Sequence, residues 1–482
     1  MMFSKHILQW SIPTVLETLA KAGLISLAAY ILPKDDFGIY TLAMLLYSFH
    51  PYIQLGVVEG LILKLPGYYV NNDINRIRSS LGLSLSYTIS LLIALLTLAL
   101  LSILLIYEYE KIAMLCGIYL LTSIPYQIYN HYILLNRYTY RFDITLYSRL
   151  INAALRILLQ FPLVINFGIY GLVIGEFLIY TISTITIVNI SRIHMNLNMN
   201  LKNLKGYIYF GFPVWIISLL TIFSVSFEKS ISVYFFDIKT VADVGLLAFF
   251  GSILMLVNGQ ILSLFTQYAR EFIVHTKHFD YLISAFLVFS LVSIIFYIIN
   301  ASVLYGFLSK FFIPKFLPEY VSVISYFPVI YCIFLIRILV ANFVSYFLVV
   351  DSRVIIIISH ALFFLGSLFG FILLKTFNDF KLIHLWYSIL TGLILEFIFI
   401  FAYLSFTVGS SLVSFLIIFY VGVNLSYALV FFNDPGFSWI INFLLNITVA
   451  VFLLYAFKNL KSCKDIYIIF KAILKKEYLI AK

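Results

Sequence analysis

The stretch LGLSLSYTISLLIALLTLALLSILLI at residues 81–106 contains no charged residue and consists mainly of Leu and Ile. A helix that crosses a bilayer needs roughly 20 mostly apolar residues, so this stretch predicts one membrane span. Working outward with the same window gives fourteen predicted spans. They lie at 9–32, 39–64, 81–106, 112–135, 144–165, 169–190, 208–236, 244–267, 281–308, 321–349, 354–375, 385–406, 412–432 and 438–457.

The composition of the whole chain agrees with an all-α polytopic membrane protein. Of 482 residues, 63% are hydrophobic and 11% are charged. A soluble domain usually has about 25% charged residues. The first predicted span contains Glu17 and Lys21, and its apolar stretch is longer than the roughly 7–15 residues of a signal-peptide core. We therefore expect a membrane helix there and not a cleaved signal.

The positive charges in the loops predict the orientation. With both termini on the cytoplasmic side, the inner segments hold 18 Lys and Arg residues and the outer loops hold seven. An excess of Lys and Arg is typical of cytoplasmic loops. The basic tail at 458–482 is predicted to be an amphipathic helix on the inner leaflet, or alternatively a solvated segment that only fixes the topology.

Two other classes of function are excluded by the distribution of charge and cysteine. The net charge of +10 is spread over short loops and the tail, so no basic face of a soluble module exists to bind nucleic acid. Cys116, Cys332 and Cys463 are scattered and form neither a disulfide framework nor a metal motif. No cofactor and no metal are expected.

A weak internal repeat suggests two related halves. Trp10-Ser11-Ile12-Pro13 begins the first span, and a short loop at 33–37 leads to Gly38. Phe210-Gly211-Phe212-Pro213 begins the seventh span, and an acidic loop at 237–243 leads to Gly245. Repeats of this kind are typical of transporters, whose substrate site lies between the halves.

Several of the same residues resemble a known family. The run LPKDDFGIYTLA at 32–43, Leu55-Gly56 with Glu59-Gly60, and the glycine-marked turn FGIYG at 167–171 resemble the first half of Wzx-type O-antigen and polysaccharide flippases. FGFP at 210–213 with Glu228-Lys229 resembles their second half. That family belongs to a superfamily that also includes lipid II flippases and multidrug exporters.

The resemblance implies two pseudo-repeated six-helix lobes around a central cavity. We expect an N-terminal lobe at 1–190, a cytoplasmic loop at 191–207, a C-terminal lobe at 208–406, two extra helices at 407–457 and the tail at 458–482. The implied substrate is an oligosaccharide on a polyprenyl diphosphate carrier, moved across the bacterial cytoplasmic membrane. Membrane lipids and other membrane proteins of polysaccharide assembly are the remaining expected partners.

Charged groups inside predicted spans are candidate functional residues, because each costs roughly 2.5–3.5 kcal/mol to insert. Arg149 and Arg156 are seven residues apart and share one helix face. Guanidinium groups suit phosphate oxygens, so this pair is predicted to bind the anionic headgroup. The alternative is a salt bridge to Glu59 or Glu176.

Five further charged residues inside the predicted spans are candidates. Glu17 and Lys21 either neutralise each other four residues apart on one helix, or Lys21 faces the cavity and Glu17 holds it there. Glu228 and Lys229 are adjacent and point about 100° apart, so they cannot simply pair. Arg337 is predicted to complete the basic lining from the second lobe.

The expected substrate-binding residues are thus Lys21, Arg149, Arg156, Lys229 and Arg337. The expected ion-coupling or counter-charge residues are Glu17, Glu59, Glu176 and Glu228. Glu176 also follows Gly171-x-x-x-Gly175, a motif of close helix packing, so it is as well explained by structure as by function. Glu396 receives no role.

Uncharged candidates remain open as well. His50, His131 and His360 lie in spans and are interior hydrogen-bonding groups or proton relays. Some of the 36 tyrosines could stack on sugars, whereas most belong to interfacial belts. A multidrug exporter of the same superfamily and a membrane polysaccharide polymerase or ligase are the competing functions. No enzyme activity is expected, because no catalytic motif stands out.

Overall fold

The computed structural model describes residues 2–71, 73–105, 110–139, 141–191, 194–197, 201–276, 280–377 and 381–408. Within these residues the chain is all-α, as predicted. The helices are α1 (Met2–Ile31), α2 (Lys34–Ser48), α3 (Val57–Val70), α4 (Ile74–Leu105), α5 (Glu110–Tyr138), α6 (Phe142–Leu155), α7 (Phe161–Ser191), α8 (Leu201–Phe235), α9 (Ile238–Thr276), α10 (Asp280–Phe307), α11 (Ile313–Phe316), α12 (Phe327–Val349), α13 (Arg353–Phe377) and α14 (Leu382–Val408).

Within the described residues, the first twelve predicted spans lie on helices, apart from a turn at residue 49, a break at residues 55–56 and bends at residues 32 and 236. Hydrocarbon offers the backbone no hydrogen-bond partners, so a long apolar segment has to satisfy its own amides by forming a helix. By length and composition, eight of the described helices could cross a membrane, or ten if each of two bent pairs counts as one span. The predicted spans at 412–432 and 438–457 and the tail at 458–482 lie outside the described residues.

The second predicted span is not one continuous helix. A 3-10 segment, His50–Gln54, separates α2 from α3, and the two parts are bent by 62°. Leu55 and Gly56 at the break have positive φ angles of 50° and 87°. A Cβ on Gly56 would also lie 2.7 Å from the Gly211 carbonyl carbon, so glycine is required there both by conformation and by the close approach of α8.

The fifth and sixth predicted spans meet inside α7. Gly168 has φ 57° and ψ −130°, which breaks the helical path where the sequence predicts a tight turn. The fifth span also contains a π-helical turn, Arg156–Gln160, between α6 and α7. A π-helical turn is rare and is frequently found at functional sites.

The described chain forms two compact units, which we call the first unit (Ser4–Gly245) and the second unit (from Leu246 onward). The first unit contains α1 to α8 and the beginning of α9. Within it α8 packs along α3, where Gly60 and Gly211 let the two backbones touch. The division into lobes at 1–190 and 208–406 remains a prediction.

Candidate functional site

The main cluster of buried charge lies in the first unit, where the π-helical turn Arg156–Gln160 forms an ion pair with α7. Arg156 is 1% exposed and its guanidinium makes a two-pronged contact with Glu176. Nη1 donates to Oε2 over 2.7 Å, and Nη2 donates to Oε1 over 3.1 Å. This geometry is the strong form of an arginine–carboxylate interaction. The sequence left Glu59 and Glu176 open as salt-bridge partners, and the structure shows that Arg156 pairs with Glu176.

Gln160 and Tyr180 complete the surroundings of this ion pair. The Gln160 amide donates to the Leu172 carbonyl over 2.8 Å and to Glu176 Oε2 over 3.2 Å. Its oxygen accepts from Arg156 Nη1 over 3.2 Å. The Tyr180 ring lies 5.8 Å from the guanidinium carbon, which adds a cation–π contact. A buried ion pair is tolerated only when such additional partners are present.

The packing motif at Gly171 and Gly175 creates the space for these contacts. A Cβ on Gly175 would lie 2.6 Å from Gln160 Cγ, and one on Gly171 would lie 2.0 Å from the Leu163 carbonyl oxygen. The two glycines therefore let the chain segments on either side of Gly168 approach closely enough for Gln160 to reach Glu176. Glu176 has a clear structural role, and its predicted function in ion coupling remains a prediction.

Three other predicted residues surround the pair. Lys21 on α1 lies within electrostatic range of Glu176, Arg156 and Glu17, and its side chain is half-buried. Arg149 is also half-buried, and its Nη1 donates to the Thr14 hydroxyl on α1. Three cations and two carboxylates thus meet in one region, with one more positive charge than negative when all are ionised.

The remaining predicted residues lie elsewhere. Glu59 is in the first turn of α3, just after the break at Leu55 and Gly56, and is half-buried. Glu228 is fully buried on α8 and Lys229 is half-buried beside it. Arg337 belongs to the second unit, where it is 4% exposed and its guanidinium carbon lies 5.2 Å from the Phe334 ring.

An aromatic cluster, which the sequence did not single out, adjoins the charges. Tyr47 stacks on His50 at 4.3 Å and on Tyr119 at 4.7 Å between ring centroids. Tyr126 meets the Tyr180 ring edge-on at 4.8 Å, and Tyr180 in turn contacts Arg156. The spacing along the chain gives no sign of this cluster, because its members come from four different segments.

The second unit contains a buried pair that the sequence also missed. His360 on α13 and Glu396 on α14 are 3% and 0% exposed, and Nδ1 lies 2.7 Å from Oε1. The distance is that of an ion pair, but the two groups are not aligned as a hydrogen bond. The two residues are 36 positions apart, and neither belongs to a motif.

The sequence comparison assigns the chain to a family. The family model described as "Polysaccharide biosynthesis protein" matches residues 27–267, which is half of the chain. The chain belongs to this family. No curated protein has a significantly similar sequence.

Solved structures show that this family member has the fold of known membrane transporters. An inward-facing multidrug resistance MATE family transporter of the MOP superfamily has a TM-score of 0.63 and 13% identity, over 84% of this chain and 98% of that one. A eukaryotic MATE transporter has a TM-score of 0.64 and 14% identity, over 88% of this chain and 98% of that one. The lipid II flippase MurJ in an inward closed conformation has a TM-score of 0.59 and 15% identity, over 93% and 98%.

These comparisons confirm the sequence-based resemblance to the polysaccharide flippase and exporter superfamily and the expected all-α, multi-pass membrane fold. At identities of 13–15% the structural likeness concerns the fold and not the substrate. The family match adds a connection to polysaccharide biosynthesis.

Proposed function

We propose that the chain is a flippase that moves a polyprenyl-diphosphate-linked oligosaccharide from the inner to the outer leaflet of a bacterial cytoplasmic membrane. The family match to polysaccharide biosynthesis proteins supports a substrate from that pathway. The likeness in fold to MurJ and to MATE transporters supports alternating access as the mechanism. Both termini would lie in the cytoplasm, and no bond of the substrate would be made or broken.

The observation that carries the proposal is the unequal burial of the cations around Glu176. Arg156 is enclosed and already shares its charge with Glu176, so we assign it a positioning role. Lys21 and Arg149 keep accessible side-chain surface beside that neutralised pair. These two cations are the groups that would contact the diphosphate, whose oxygens accept hydrogen bonds from both types of side chain.

Energy coupling is a further part of the proposal. Glu17 and Glu59 are half-buried carboxylates in the first unit, and Glu228 is a fully buried one. A carboxylate inside a membrane protein marks a candidate proton or cation pathway. Glu59 follows the broken helix between α2 and α3, where a change in backbone angles would move it most directly.

The test is export of surface glycan in a strain that lacks its own flippase and expresses the matching glycan. Arg149→Ala and Lys21→Ala should each reduce export, because a lost headgroup contact of roughly 1.5–3 kcal/mol weakens binding about ten- to a hundredfold. Arg149→Lys should rescue partly if charge alone is needed. Arg353→Ala is the matched control, since Arg353 pairs with Asp351 at an exposed turn. Normal export by both Lys21→Ala and Arg149→Ala would contradict the assignment of the site.

A multidrug exporter is the second candidate, and the MATE-like fold favours it. Such an exporter should protect a drug-sensitive strain from lipophilic cations, and the Lys21→Ala and Arg149→Ala variants should protect at least as well as the original. A flippase for anionic lipid-linked glycans should give no protection. The two growth assays therefore separate the candidates.

A further inference from the structure

The loops α1–α2 and α8–α9, which the sequence repeat makes equivalent, lie against each other within the first unit. Lys34 Nζ at the start of α2 is 2.8 Å from Asp243 Oδ1 near the start of α9. Lys239 Nζ at the start of α9 is 3.9 Å from Asp35 Oδ2 at the start of α2. Each helix beginning thus provides a lysine that pairs with an aspartate of the other.

The two ion pairs differ in burial. The side chains of Lys34 and Asp243 are 17% and 13% exposed, whereas those of Lys239 and Asp35 are 59% and 52% exposed. Exposed pairs contribute little, because water and salt screen them. The Lys34–Asp243 pair therefore carries most of the attraction, and the Lys239–Asp35 pair provides an internal comparison at the same place.

Two glycines allow the first turns of α2 and α9 to come into contact next to these ion pairs. A Cβ on Gly38 of α2 would lie 2.2 Å from the Ile238 carbonyl oxygen of α9. A Cβ on Gly245 of α9 would lie 2.3 Å from the Thr41 hydroxyl of α2. These are the two glycines that the repeat matches, and each makes room for the partner helix. The beginnings of α2 and α9 are therefore in direct contact at these two points.

A third ion pair on this face differs in what it connects. Lys111 Nζ of α5 lies 2.5 Å from Asp36 Oδ1 at the start of α2. Both residues belong to the predicted first lobe, so this contact can persist while α2 and α9 separate. It holds the start of α2 in place and leaves the Lys34–Asp243 contact as the part that would have to break.

We propose that residues 33–41 and 237–245 form a clasp that closes this face of the protein and opens once in each transport cycle, with Lys34 and Asp243 as its principal ion pair. The cycle rests on the proposed transport function. The closure itself does not, because it can be measured without substrate. By the predicted orientation the clasp lies on the outer face of the membrane.

The experiment measures access to a cysteine beneath the clasp. Thr41→Cys is introduced in full-length protein whose Cys116, Cys332 and Cys463 have been replaced, because Thr41 is 4% exposed and touches Gly245. Its reaction with a membrane-impermeant maleimide is followed in spheroplasts. Lys34→Asp should accelerate labelling about three- to tenfold, since it replaces an attraction by a repulsion. The charge-swapped double variant Lys34→Asp/Asp243→Lys should return labelling to within about twofold of the starting rate.

Two controls make the result decisive. The exposed pair serves as the matched control: Lys239→Asp should change labelling less than about twofold, since its side chains are mostly hydrated. Lys34→Gln provides a milder change if Lys34→Asp inserts poorly. The alternative explanation is that the acidic residues act only through the dipoles of the helices that they begin. In that case the charge-swapped double variant would slow or disturb folding and would not restore the labelling rate.

Unchanged labelling in both Lys34 variants, or a swap that fails to restore closure, would overturn the clasp. If labelling changes as expected in these variants but the protein exports no glycan, the clasp is supported and the proposed flippase function is rejected. Restored labelling together with restored glycan export in the swap would support both.

Discussion

Arg156 with Glu176 in the first unit, and His360 with Glu396 in the second, are both buried pairs of a basic and an acidic side chain. They differ in how completely the carboxylate oxygens are satisfied. The carboxylate of Glu176 accepts hydrogen bonds from two guanidinium nitrogens and from Gln160. The carboxylate of Glu396 lies near His360 and the Ser359 hydroxyl through Oε1, and within the described residues Oε2 has no hydrogen-bond partner.

The comparison teaches that two buried pairs of similar composition can have different chemical character. Arg156 cannot lose its proton, so Glu176 must remain ionised beside it. Histidine can be neutral, so the second pair can become uncharged by moving one proton from the imidazole to the carboxylate. The first pair is therefore a fixed ion pair, whereas the chemistry of the second also allows an uncharged form.

The largest expected effect is on the stability of the first unit. Glu176→Gln should lower the free energy of unfolding by about 3–5 kcal/mol, because it leaves the Arg156 guanidinium buried without a counter-charge. Thermal unfolding of the purified protein in detergent is the measurement. Arg156→Met/Glu176→Leu, which removes both charges, should be clearly more stable than Glu176→Gln. A Glu176→Gln variant as stable as the original would show that the pair is not the enclosed, ionised contact described above.

The next effect compares the close helix contacts beside the two pairs. Gly392→Ala should be destabilising by about 2–3 kcal/mol, because the new methyl group meets the Phe363 carbonyl oxygen at 2.4 Å and the backbone of α13 must move. Gly175→Ala meets the side chain of Gln160 at 2.6 Å and no backbone atom, so it should cost less, about 1–2 kcal/mol. The same unfolding assay ranks the two variants. The reverse order would mean that Gln160 is held more rigidly than the α13 backbone.

The smallest expected effect tests the second pair directly. Glu396→Gln should cost only about 1 kcal/mol, because His360 can remain neutral and the amide can still contact Ser359. Thermal unfolding of the purified protein in detergent is the measurement, with Ser388→Ala on the same helix as the control. A loss as large as that of Glu176→Gln would contradict the expected difference between the two pairs.

Much of the fold could be predicted because its decisive interactions are local. The positions of the helices up to residue 406 follow from runs of apolar residues, since each helix satisfies its own backbone in hydrocarbon. The turn at Gly168 and the close approach at Gly171 and Gly175 could also be predicted from the sequence, because glycine marks places where a side chain cannot fit. The sequence predicts one continuous span at 39–64, whereas the structure bends there, and Gly56 is required at the break by its positive φ as well as by the close approach of α8.

The sequence by itself determined that the chain spans a membrane, where its described helices lie and which charged residues stand inside them. Only the tertiary structure decided how those charges are used. It placed Arg156 against Glu176, left Lys21 and Arg149 partly accessible beside them, and brought His360 to Glu396. The physical reason is distance along the chain: a helix depends on residues within four positions, whereas a buried charge depends on whichever distant side chain reaches it first.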